Sequence, residues 1–135
     1  MGYVIRCAAR AWPGKGVVRA LSIVLIINAP PYGDERSYNG LRLAQALLAA
    51  DEWVELFFLG DGVHVAHAGQ DPRGAHASLE PMLVELIANG AVVMLCGTCC
   101  QARGLRQDEL VEGARVGTIH DLADVVRRSD KALTF

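Results

Sequence analysis

What the sequence lacks narrows its chemistry first. No apolar run approaches the roughly 20 residues that cross a bilayer; the longest strongly apolar stretch is Ala20 to Ile27, which excludes a spanning helix. Positive charge is not concentrated either. Lys and Arg number 13 against 15 Asp and Glu, a formal charge of −2, and no basic cluster occurs. That removes the electrostatic footprint on which binding to nucleic acid or an anionic membrane surface depends. Both common phosphate cradles are missing, since neither Gly-x-x-x-x-Gly-Lys-Ser/Thr nor Gly-x-Gly-x-x-Gly is present. Arg6, Arg10, Lys15 and Arg19 imitate the start of an export signal, but no small-x-small cleavage site follows; Asn28-Ala29-Pro30-Pro31-Tyr32-Gly33 comes instead. The expected location is therefore the cytoplasm.

What is present describes a well-filled core. A chain of 135 residues with a 52% apolar share fits one domain whose strands are buried on both faces. Residues 1–17 mix arginines with Trp12, Pro13, Gly14 and Gly16 and show no apolar period. They read as a flexible N-terminal extension, with the folded domain spanning residues 18–135. Candidate strands are Leu21 to Ile27, Trp53 to Leu59, Val92 to Cys96, Arg115 to Val116, and Ala132 to Phe135.

Helical spacing fills the intervals. Ser37 can cap a helix that returns Leu41, Ala44, Leu47 and Leu48 to one face and closes at Asp51-Glu52. Ser78 and Pro81 open a second, with Met82, Leu83, Leu86 and Ile87 inward and Asn89-Gly90 as its stop. A short polar helix is expected over Gln107 to Val111. A last one runs from Thr118 to Arg128 with Leu122, Val125 and Val126 facing inward. This alternation predicts a three-layer α/β/α fold, a five-stranded, mostly parallel sheet of flavodoxin-like type. In such folds chemistry gathers beyond the carboxyl ends of the strands, here after Ile27, Leu59 and Cys96.

Three of the four cysteines, Cys96, Cys99 and Cys100, sit within five positions at the end of a buried strand. A disulfide framework would disperse them. Reactive sulfur is the alternative. The thiolate is the reactive species, and loop N–H groups or the guanidinium of Arg103 can stabilise it. Cys96 as a plain buried end-of-strand residue is the bland reading. Zinc is a further one, with His64 and His67 supplying the second half of a tetrahedral site. His76 and His120 read as polar surface or early-helix residues, and Asp61 as a helix cap without chemistry. Asp34, Glu35 and Arg36 read as solvated.

From about Leu21 to Phe135 the chain resembles the DsrE/DsrF-like family. The landmarks are Asn28-Ala29-Pro30-Pro31-Tyr32-Gly33, Leu41-Arg42-Leu43-Ala44, Phe58-Leu59-Gly60-Asp61-Gly62-Val63, Leu95-Cys96-Gly97-Thr98-Cys99, Ala102-Arg103-Gly104, Gly117-Thr118 and the closing Asp130 to Phe135. The single-subunit, YchN-like branch is the most similar. The resemblance implies a homotrimer or hexamer that handles sulfur with donor and acceptor proteins as partners; no cofactor or metal is expected. It implies a persulfide-accepting role for Cys96 and a second, resolving or shielding role for Cys99; Cys100 is additional to the motif. Cys96, Cys99 and Arg103 are thus the candidate catalytic residues of a sulfurtransferase-like carrier. A noncatalytic assembly module with structural cysteines and a zinc protein are the alternatives.

Overall fold

The β-branched and apolar runs pair into one sheet in the computed structural model, which describes residues 9–12, 16–73 and 78–135. Ala9–Trp12 (β1) and Gly16–Arg19 (β2) form a separate antiparallel ladder. The main sheet contains Ser22–Ile27 (β3), Trp53–Phe58 (β4), Val92–Cys96 (β5), Ala114–Gly117 (β6) and Lys131–Thr134 (β7), in the order β6-β5-β4-β3-β7. Every neighbouring pair in it is parallel. The expected five strands are all found, with ends shifted by a residue or so; the sheet is wholly rather than mostly parallel. The expected N-terminal extension lies partly outside the described residues, as do Cys7 and His76.

Strand order explains the layers. From β3 the chain moves outward through β4 and β5, crossing by Arg36–Ala49 (α1) and Leu79–Ala88 (α2). Crossovers keep one hand, so steps in one direction leave their helices on one face. The return from β6 to β7 beside β3 runs the other way, through Ile119–Arg128 (α4), and covers the opposite face. Two cores result. The larger packs Leu41, Ala44, Leu83 and Leu86 of α1 and α2 on Leu25, Ile27, Leu56, Phe58 and Leu95. The smaller packs Leu122 and Val125 of α4 on Val24, Phe57, Met94 and Cys96.

Several local expectations are corrected. Ser37 is not a cap but lies inside α1, fully buried, with its hydroxyl donating to the Ala29 carbonyl at 2.7 Å. The Asp34 carboxylate accepts the Arg36 N–H at 2.8 Å and binds its guanidinium at the solvated surface where Glu35 and Arg36 are exposed, as expected. Asp61 is no cap either: the 3-10 turn Gly60–Ala66 begins after Leu59 without a side-chain cap. The polar helix expected over Gln107 to Val111 is only a 3-10 turn, Gln107–Glu109. Val126 is 40% exposed rather than inward, because the single layer over this face is filled by Leu122 and Val125 one turn apart. Among the described residues no helix is long and apolar enough to cross a membrane.

Candidate functional site

The site is built where β4 and β5 end. Cys96 is the last residue of β5 and the N-cap of the short helix Gly97–Ala102 (α3). Its side chain therefore turns back over the first helical turn, where backbone donors have no partner within the helix. The Cys96 sulfur accepts the Cys99 N–H at 3.3 Å and lies 3.2 Å from Thr98 Oγ1. Sequence reasoning singled out the cysteines and missed Thr98. The available signal was its position, two residues after a strand-ending cysteine, where a first-turn side chain faces the cap.

The three sulfurs differ in environment. Cys96 is only 5% exposed, Cys99 is half-buried and Cys100 is buried in the larger core; all three are free thiols. Burial pushes the Cys96 thiol up, but hydrogen bonds from the Cys99 thiol, the Thr98 hydroxyl and the Cys99 and Thr98 N–H groups outweigh it. The net shift is downward from 9.0. Cys99 is shifted upward, by burial and by its bond to Cys96, against a lowering hydrogen bond from the Gly60 N–H and the Arg103 charge. Cys100 is also raised, first by burial and then by the two neighbouring sulfurs. The arrangement thus favours one anion among three thiols, at Cys96.

Arg103 stands at the C-cap of α3. Its Nε donates to Asp61 Oδ1 at 3.0 Å and its Nη1 to the Cys99 carbonyl at 3.1 Å. The guanidinium therefore fastens α3 to the turn after β4, and its charge lowers Cys99 and Cys100, whereas hydrogen bonding lowers Cys96. Gly60 allows this meeting: at φ +53 it leaves room beside the Arg103 guanidinium, and its backbone lowers the Cys99 thiol. Thr98 also lines an open cleft of about 490 Å³ with Gln101, Val116, Thr118, Ile119 and Asp121.

The histidines do not join the cysteines. His64 and His67 pair with each other, ring centroids 6.4 Å apart, in the turn after β4. Among the described residues no group of three or more His, Cys, Asp or Glu side chains converges to hold a metal ion. The Pro30 to Gly33 loop is tied down elsewhere, with Tyr32 Oη donating to Gln70 Oε1 at 2.6 Å and accepting the Leu79 N–H at 3.3 Å.

The chain is similar to known proteins. The DsrE/DsrF-like family profile matches residues 22–135. An uncharacterized protein of Methanocaldococcus jannaschii is 44% identical over 115 residues, covering 85% of this chain and 100% of that protein. The crystal structure of the YchN protein of Escherichia coli superposes with a TM-score of 0.80 at 38% identity, covering 85% of this chain and 99% of that one. Sulfurtransferase TusD of Sodalis glossinidius is 31% identical over 88 residues, covering 64% of this chain and 68% of its own.

Proposed function

The chain belongs to the DsrE/DsrF-like family, and from that premise we propose that it is a cytoplasmic sulfur carrier in which Cys96 accepts sulfur as a persulfide and relays it to a partner protein. The observation that carries this reading is the Cys96 sulfur at the exit of β5, 3.2 Å from the Thr98 hydroxyl and 3.3 Å from the Cys99 N–H, contacts that favour its anion. Similarity to a protein named as a sulfurtransferase supports it. A merely structural cysteine at a strand end has no need of hydrogen-bond donors that favour its anion.

The exchange needs no oxidant. The Cys96 thiolate attacks the outer sulfur of a donor persulfide; a new S–S bond forms, the donor's S–S bond breaks, and the donor leaves as a thiolate. An acceptor thiolate then attacks the same outer sulfur and Cys96 leaves as the thiolate it was. Because Cys96 is 5% exposed, the half-buried Cys99 and the exposed Thr98 form the edge past which the donor reaches it. Reduced thiols of this kind suit the cytoplasm. Assembly as a homotrimer or hexamer, with separate donor and acceptor proteins as partners, completes the proposal.

Intact-mass spectrometry after incubation with a persulfide donor tests the reading. One added sulfur atom is expected on the wild type and on Cys99→Ser, and none on Cys96→Ser. Addition that persists in Cys96→Ser assigns the chemistry to another sulfur.

A further inference from the structure

We propose that Thr98 is the positioning residue of the cysteine pair: by donating its hydroxyl to the Cys96 sulfur across 3.2 Å, it directs negative charge, and with it nucleophilic attack, to Cys96 rather than Cys99. The inference deepens the proposed function and rests on it for the identity of the reacting partner.

The Cys99 N–H binds the Cys96 sulfur at 3.3 Å, and the two neighbouring thiols shift each other in opposite directions, so they titrate as a pair. The backbone acts on both sulfurs: the Cys99 N–H binds Cys96, and the Gly60 backbone lowers Cys99. Those contacts belong to the conformation of the two loops and survive any side-chain change that preserves it. Of the side chains around the pair, Arg103 acts on Cys99 and so favours the anion at the wrong sulfur. Its charge is partly answered by Asp61 on the turn after β4. Cys100, on α3, lies in the larger core. Asp121, at the start of α4, stands beside Gly117, the register partner of Cys96, and is held ionised by the Thr118 N–H and hydroxyl. Thr98 is the side chain, other than Cys99 itself, that offers the Cys96 sulfur a donor.

A hydroxyl suits this task because it changes roles with the proton. It accepts from the neutral thiol and donates to the thiolate, and the second bond is the stronger because its acceptor is charged. The contact therefore stays made in both states while favouring the anion. Thr98 is exposed and lines the cleft beside α3, so its replacement leaves the cores untouched.

The test is the pH profile of alkylation at each cysteine, resolved by peptide mass spectrometry on the full chain. Thr98→Val keeps the shape and removes the hydroxyl. It is expected to raise the Cys96 midpoint by about one pH unit, equivalent to ~1.4 kcal/mol, and to increase the share of alkylation at Cys99. Thr98→Ser is expected to restore the wild-type profile. An unchanged Cys96 midpoint in Thr98→Val overturns the assignment, and so does a Thr98→Ser profile that matches Val. The persulfide mass assay on the same variants separates the two proposals. A Thr98-dependent profile without sulfur loading leaves Thr98 standing and rejects the relay; loading with a Thr98-independent profile does the reverse.

Discussion

Cys96 closes β5, and Gly62 lies in the turn that follows β4, packed against the backbone of Ile27. A Cβ on Gly62 would stand 2.1 Å from the Ile27 carbonyl oxygen and 2.9 Å from its carbon, with backbone that cannot swing aside. Gly62→Ala is therefore expected to destabilise the fold by at least about 2 kcal/mol, read as a lower urea midpoint. Gly60→Ala meets nothing closer than 3.9 Å, so only its left-handed backbone opposes it; a smaller loss, about 1–2 kcal/mol, is expected from the same measurement. Equal losses at the two positions would contradict the close approach. In the sequence both glycines stand in one landmark, Phe58 to Val63, which does not distinguish their reasons. A positive φ and a backbone collision look alike until Ile27 is brought beside them by the pairing of β3 with β4. The cysteine cluster was more legible, because three sulfurs at the end of one apolar run need no tertiary information to be noticed. Their ranking was not legible, since it depends on which N–H and hydroxyl groups the folded loops aim at each sulfur.

Helix α4 carries its own start signal. Thr118 accepts the Asp121 N–H at 3.2 Å while Asp121 Oδ2 accepts the Thr118 N–H at 2.7 Å, a reciprocal box that fixes the turn after β6. The backbone and hydroxyl of Thr118 hold the Asp121 carboxyl below its ordinary 3.8. A carboxyl depressed in the folded state contributes stability that is present above 3.8 and is lost as pH falls through the folded value, because the unfolded chain binds the proton more readily there. Asp121→Asn is accordingly expected to lower the urea midpoint at pH 7 and to shrink the further loss seen on acidification to pH 3. A variant that loses as much on acidification as the wild type would remove this carboxyl from the account. Thr118 to Arg128 was readable as a helix from local chemistry alone, which is what a capping box followed by apolar spacing supplies. Ser37 misled for the opposite reason. Its hydroxyl reaches a loop carbonyl eight residues earlier, at Ala29, a partner that only the folded β3 exit provides. Asp61 misled in the same way, since its partner Arg103 comes from the loop beyond β5.

At the scale of the molecule, the direction of the crossovers leaves the two faces of the sheet unequally covered. Helices α1, α2 and α3 shelter one face, and α4 alone lies on the other, so apolar side chains at its margins stay in water. Ile119 is 57% exposed and Val126 40%, seven residues apart on one stripe of α4, while Val116 at 38% shares the cleft with Ile119. Isolated exposed apolar residues are ordinary, but a stripe continuous with a cleft is the kind of surface that association covers. If the chain assembles as a homotrimer or hexamer through this face, Ile119→Asp combined with Val126→Asp should reduce the mass found by light scattering to that of one chain. The circular dichroism spectrum should stay unchanged, since neither side chain belongs to a core. An undiminished oligomer would move the interface elsewhere, and a monomeric wild type would remove it. The same pair of substitutions also bears on the approach to Cys96 past Thr98, because Thr98, which contacts the Cys96 sulfur, lines one cleft with Ile119 and Asp121 of α4. If assembly closes that cleft, the monomeric variant should be alkylated at Cys96 faster than the wild type at equal pH. If the oligomer leaves it open, the two rates should agree, and the sulfur would then be approached across the surface of each subunit by itself.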